Sequence, residues 1–126
     1  MSEYCHRKAV RMKISLEETC KIFEVDDKWD IMDYLEKTEF EVAPTSQFFI
    51  DYNLPCNYHS DGDWGRIREL YSGEYMKYSS KFEELLKDRI VKPSELRLVE
   101  YSWYDCSEAP DYFDESTYHD DFYDEV

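Results

Sequence analysis

Val10-Arg11-Met12-Lys13-Ile14-Ser15-Leu16-Glu17-Glu18-Thr19-Cys20-Lys21-Ile22-Phe23 contains a change of period that decides how the chain is read. Val10, Met12 and Ile14 alternate with Arg11 and Lys13, the period-two signature of a half-buried strand. Ser15 then opens a helix, and Glu18 three residues on completes a capping box. Leu16, Cys20 and Phe23 recur at helical spacing and form its apolar stripe. A strand running directly into a helix, with both periods clean, sets the expectation of a mixed fold.

On the C-terminal side, Asp26 is the expected cap of a second helix, with Val25, Trp29, Met32 and Leu35 on its apolar side. Asp26, Asp30 and Asp33 then stack on the opposite side, about 5–6 Å apart at the Cβ atoms. Like charges at that spacing weaken a helix slightly. Ala43-Pro44-Thr45-Ser46 reads as a turn, Phe48 to Tyr52 as a short strand, and Asn53 to Gly65 as a loop holding Pro55, Asn57, Gly62 and Gly65. Trp64, Ile67, Tyr71, Tyr75, Tyr78, Phe82 and Leu85 recur at steps of three and four, which predicts a long helix. Ser72-Gly73, or the capping box from Ser80 to Glu83, divides it in two, and Pro93 ends it. Leu96 to Trp103 reads as a strand with Val99, Tyr101 and Trp103 on one face. The order fits an α+β fold: a small antiparallel sheet packed against three or four helices, with an acidic C-terminal tail. We place one domain at residues 1–104 and an acidic aromatic segment at 105–126.

The full chain has 126 residues, so one domain is expected. Its 30 Asp and Glu outweigh 15 Lys and Arg, for a formal charge of −15. A protein that neutralises phosphates must carry the positive side of the interface, so direct nucleic-acid binding is disfavoured, as is a polybasic membrane contact. With 12 Tyr, 7 Phe and 3 Trp the chain is too aromatic for a disordered polyelectrolyte. The acidity is also patterned. Residues 1–14 carry +3, residues 15–41 carry −7, residues 42–104 carry −2 and residues 105–126 carry −9.

The N-terminal bases are followed by no apolar run, whereas a signal peptide needs about 7–15 apolar residues and a membrane span about 20. A cytosolic protein is expected, with Cys5, Cys20, Cys56 and Cys106 reduced and serving mainly as small buried hydrophobes.

Residues 105–126 interleave carboxylates with aromatics: Asp111, Tyr112, Phe113, Asp114 and Glu115, then Tyr118, Asp120, Asp121 and Asp124. Carboxylates occupy sites built for phosphates, and aromatics occupy sites built for stacked bases. Arginine in a basic cleft pairs with the first and stacks on the second. Those nine residues are the first candidate contact surface, and Asp26, Asp30 and Asp33 are the second. The plain alternative is that acid runs only solvate the chain.

Other chemistries find less support. Cys5-His6 and Cys56-x-x-His59 hold a zinc-type ligand set, but adjacent Cys5 and His6 in a terminal arm are awkward ligands of one ion. Asn57-x-His59-x-Asp61-Gly62 fails as a calcium loop, because Arg68 stands where a bidentate Glu is required. His6, His59 and His119 fall in no nucleophile or metalloprotease motif, and no phosphate-cradling glycine loop occurs. We expect no enzyme, no cofactor and no metal.

In its acidic-aromatic segment Asp105–Val126 and its Asp26, Asp30 and Asp33 stripe, the chain resembles the small acidic proteins that phages and mobile elements use to block CRISPR or restriction nucleases. That class shares no common fold, so the resemblance transfers no residue roles. It implies stoichiometric inhibition, in a host bacterial cytoplasm, of an enzyme whose basic nucleic-acid groove is occupied. The rival expectation is an interaction module of antitoxin or accessory type. A small zinc protein using Cys56 and His59 is a third.

Overall fold

The ten-residue strand Tyr4–Lys13 (β1) occupies the middle of a five-stranded antiparallel sheet. The computed structural model describes residues 4–42, 49–56 and 64–104. After β1 come two short helices, Leu16–Phe23 (α1) and Lys28–Leu35 (α2), and then the strands Phe40–Val42 (β2), Phe49–Leu54 (β3) and Trp64–Arg68 (β4). The helix Ser72–Leu85 (α3), a short 3-10 turn at Pro93–Glu95 and the strand Leu96–Tyr104 (β5) complete it. The strand order is β2-β3-β1-β5-β4, with every pairing antiparallel. This is the expected α+β class with three helices.

Strand alternation separates the two faces of the sheet. Val10 pairs with Tyr52 on one side and Leu98 on the other, and Met12 pairs with Ile50 and Leu96. These residues all sink into one core with Ile31 and Leu35 of α2, Phe82 and Leu86 of the α3 region, and the half-buried Leu16, Cys20 and Phe23 of α1. All three helices therefore cover the same face. The opposite face gathers Ala9, Val99 and Tyr101, with Ile67 and Trp103 against them, in a cluster drawn wholly from strands.

The helix starts follow local chemistry. The Ser15 hydroxyl accepts the Glu18 N–H at 3.0 Å, the cap half of the expected box, while the Glu18 carboxylate that was to complete it pairs with Arg89 instead. Glu24, at φ 56°, closes α1 in the left-handed region, its N–H donating to the carbonyls of Cys20 and Lys21. At α2 the cap is Asp27 rather than Asp26, and its carboxylate accepts the Trp29 N–H at 3.0 Å. Ile31 and Leu35 face the core, while Trp29 and Met32, expected inside, are exposed.

Two further expectations are corrected. Residues 64–68 form a strand, not the start of a long helix. Trp64 and Ile67 matched a helical step by coincidence, and pairing with β5 settles the matter, with Arg66 opposite Glu100 and Ile67 opposite Val99. The helix begins at Ser72, where Ser72-Gly73 was one of the expected divisions. The expected loop from Asn53 is shortened, because β3 continues through Leu54. β2 carries too short a pattern to be read from the sequence. Among the described residues no helix is long and apolar enough to cross a membrane. The segment 105–126, and with it the expected domain division, lies outside the described residues.

Candidate protein-interaction surface

Residues 24–41 hold eight carboxylates against two lysines, and all eight belong to exposed residues. Three of the carboxylates have local work: Asp27 caps α2, Glu39 accepts the Tyr52 hydroxyl proton at 2.6 Å, and Glu41 pairs with Arg7. Glu39 and partial burial push the Tyr52 hydroxyl pKa up to about 12, since an adjacent carboxylate opposes a second negative charge.

Asp26, Asp30 and Asp33 form no ion pair with a described residue. Asp30 and Asp33 stand three apart on α2, so they share a side, as expected. Asp26 lies just before the cap, outside the helix. The sequence reading set the aromatics on the far side from these acids. In the fold they share the outer surface: Trp29 retains 60% and Met32 42% of their accessible surface. Trp29 and Asp33 are one turn apart, as are Met32 and Glu36. Tyr34, 56% exposed, leans against Phe23 at 4.8 Å between ring centroids. The signal that would have found this arrangement is the Ile31 and Leu35 pair, which at i, i+4 already makes a complete inward stripe for so short a helix.

The other candidate contact residues, Asp111, Tyr112, Phe113, Asp114, Glu115, Tyr118, Asp120, Asp121 and Asp124, lie outside the described residues.

What holds α2's platform in place is the sheet beneath it. On the opposite face, Arg11 and Asp51 are fully buried and joined by two hydrogen bonds, Nε to Oδ1 at 2.7 Å and Nη2 to Oδ2 at 2.9 Å. The Arg11 guanidinium lies between the rings of Phe49 and Tyr101, 5.3 and 5.1 Å from their centroids, and donates to the Tyr101 hydroxyl at 2.8 Å. Burial and the Asp51 charge push Tyr101 up to about 12. The sequence showed Arg11 as the solvent side of a half-buried strand. The structure instead places it in an interior salt bridge, because its register partner is a carboxylate. Fully paired interior charges specify a register rather than add much stability.

The same strand geometry separates the Cys5 and His6 half of the zinc set. Cys5 and His6 are consecutive in β1 and therefore point to opposite faces, one across from Trp103 and the other across from Ser102. Cys56 donates to Glu100 at 3.8 Å, and His59 lies outside the described residues. Among the described residues no three His, Cys, Asp or Glu side chains are grouped to hold an ion. Cys5, Cys20 and Cys56 are free thiols, and each is half-buried rather than enclosed.

Compared with known proteins, the chain matches no family model, no curated protein and no solved structure, so the surface itself carries the functional argument.

Proposed function

We propose that this protein is a non-catalytic inhibitor that occupies the basic nucleic-acid-binding groove of a nuclease or other DNA- or RNA-processing enzyme, in the manner of anti-CRISPR or anti-restriction proteins. The observation that carries the reading is the outer side of α2, where Asp30 and Asp33 are exposed together with Trp29 and Met32, and the exposed Asp26 precedes the helix cap. Carboxylates spaced along a helix present negative charge at short, regular intervals, as a nucleic-acid backbone does. A neighbouring apolar ring supplies the contact that a base supplies in the same groove. The acidic aromatic segment 105–126 extends the same chemistry. Such an inhibitor works in the host bacterial cytoplasm, where its target is.

The test is a binding panel of purified CRISPR effectors and restriction nucleases, repeated with duplex DNA as competitor and across a salt series. The expected result is a complex that duplex displaces and salt weakens. A complex indifferent to both overturns the reading. It would favour the interaction module instead, for which the exposed Trp29 and Met32 are contact enough without their acids.

A further inference from the structure

Residues 87–92 connect α3 to the 3-10 turn with little apolar anchorage. Val91 is the one buried residue of the six; Lys87, Asp88, Ile90 and Lys92 are exposed, and Arg89 is half-buried. A segment with so few buried apolar contacts belongs to the low end of local stability. Backbone strain lowers it further. Lys87 and Asp88 both hold positive φ, 54° and 68°, a region that residues with a Cβ disfavour.

Carboxylates from three surrounding elements close the segment. Arg89 Nε donates to Glu18 of α1 at 3.0 Å, and Arg89 Nη2 donates to Glu95 of the 3-10 turn at 2.9 Å. The Val91 N–H donates to Glu83 of α3 at 3.0 Å, and the Lys92 N–H donates to Glu95 at 2.9 Å. Tyr75 of α3 adds a neutral tie, its hydroxyl donating to the Val91 carbonyl. The Asp88 and Arg89 N–H groups only bond back to the carbonyls of Glu83 and Leu86. Hydrogen bonds to an ionised acceptor are about twice as strong as neutral ones, so the four carboxylate ties outweigh the neutral one.

The charged groups that meet Arg89 are Glu18 and Glu95, and those that meet Glu95 are Arg89 and Lys92. Burial opposes the Glu95 charge, but the hydrogen bonds from Arg89 and the Lys92 N–H outweigh it and hold the carboxyl below the usual carboxylate range. The stability that Glu95 contributes is therefore present above the ordinary value of 4.5 and is lost as pH falls through the folded value. The sheet is better protected: no residue of the described strands has a positive φ, and the Arg11 and Asp51 pair is fully buried.

We infer that residues 87–92 form an acid-released strap: when the carboxylates of Glu18, Glu83 and Glu95 lose their charge, it opens as a unit ahead of the sheet and uncovers Val91 and the Leu86 end of α3. Opening relaxes both positive-φ residues, so strain and protonation act in the same direction.

Amide hydrogen exchange on the full chain, followed by NMR and corrected for the pH dependence of free peptides, tests the inference. Between about pH 7 and about pH 3, protection at the Val91 and Lys92 amides should fall at least about tenfold further than protection in the ladder between β1 and β5. Glu95→Gln should reproduce the opening at neutral pH, again by about tenfold and confined to the strap. Lys87→Gly should oppose it, slowing exchange at Val91 about two- to fivefold. Loss of protection at Val91 and Lys92 in step with the ladder across the titration overturns the strap. So does Glu95→Gln raising exchange in the ladder as much as at Val91, because Glu95 then supports the whole fold. The titration of the native chain requires no substitution, so a variant that fails to fold leaves the test intact.

Discussion

Arg11 and Asp51 face each other across β1 and β3 with neither side chain reaching solvent, and Arg7 adds a third contact to the same carboxylate at 3.3 Å. A charge so placed depends on its partner far more than a surface charge does. Asp51→Asn leaves the Arg11 guanidinium buried without its counter-charge and should cost about 3–5 kcal/mol of stability. Arg11→Met combined with Asp51→Leu should recover most of that loss. Urea denaturation of the two variants checks both values. A single-variant loss below about 1 kcal/mol would show that water reaches the pair.

The acids of α2 should behave in the opposite way. Asp26→Asn, Asp30→Asn and Asp33→Asn together should change stability by no more than about 0.5 kcal/mol, since all three are exposed and pair with no described residue. The same triple variant should lower affinity for a basic partner and flatten its salt dependence. Titration calorimetry at two ionic strengths measures the two effects separately.

Two hydroxyls should titrate late. Tyr52 and Tyr101 are both pushed up to about 12, the first by its hydrogen bond to Glu39 and the second by burial. A raised folded pKa means that the neutral phenol is favoured in the native state. The stability it contributes is full below the ordinary value of 10.0 and is lost as pH rises from there through about 12. Ultraviolet difference spectra should show a late component of tyrosine ionisation, and Tyr101→Phe should diminish it.

At the acid end, the Arg68 guanidinium beside Glu74 holds that carboxyl below the usual carboxylate range. A lowered folded pKa contributes stability that is present above the ordinary value of 4.5 and is lost as pH falls through the folded value. Glu74→Gln should therefore flatten the acid limb of a stability-against-pH curve and reduce stability at neutral pH, where both forms can be compared by thermal melting.

The turn after α3 stores strain that can be relieved. Lys87 and Asp88 both have positive φ, 54° and 68°, conformations that cost a residue with a Cβ about 1–2 kcal/mol. The turn persists because Arg89 is held by Glu18 and Glu95, and because the Val91 N–H donates to Glu83 at 3.0 Å. Lys87→Gly should raise stability by up to about 1 kcal/mol, readable as a higher denaturation midpoint.

Elements with a clear alternation or cap were legible in the sequence, though for β1 only the part from Val10 was read and Tyr4–Ala9 was missed. β1 and α1 follow from the alternation before Ser15 and the box that it opens, and β5 from Val99, Tyr101 and Trp103. Legibility failed where tertiary pairing outweighs local pattern. The spacing of Trp64 and Ile67 suits either period, and only Glu100 and Val99 across the ladder select the strand. On α2 the apolar residues exceed what one face can hold, and the sequence reading turned Trp29 and Met32 inward where the fold buries Ile31 and Leu35. The candidate patch was found from its acids. Its aromatic half was assigned to the wrong side, because exposed tryptophan is unusual and pattern reading puts it inside.

The central place of β1 has a consequence for how the molecule comes into being. Tyr4 pairs with Tyr104 and Met12 with Leu96, so β1 acquires its longest neighbour only when β5, the last of the described strands, has been made. Until then β1 can pair with β3 alone, and its other backbone edge stays open. Contacts this remote in sequence slow folding and prolong exposure of an open edge. Chains cut short before Leu96 should therefore aggregate rather than fold, while refolding should be limited by the meeting of β1 and β5.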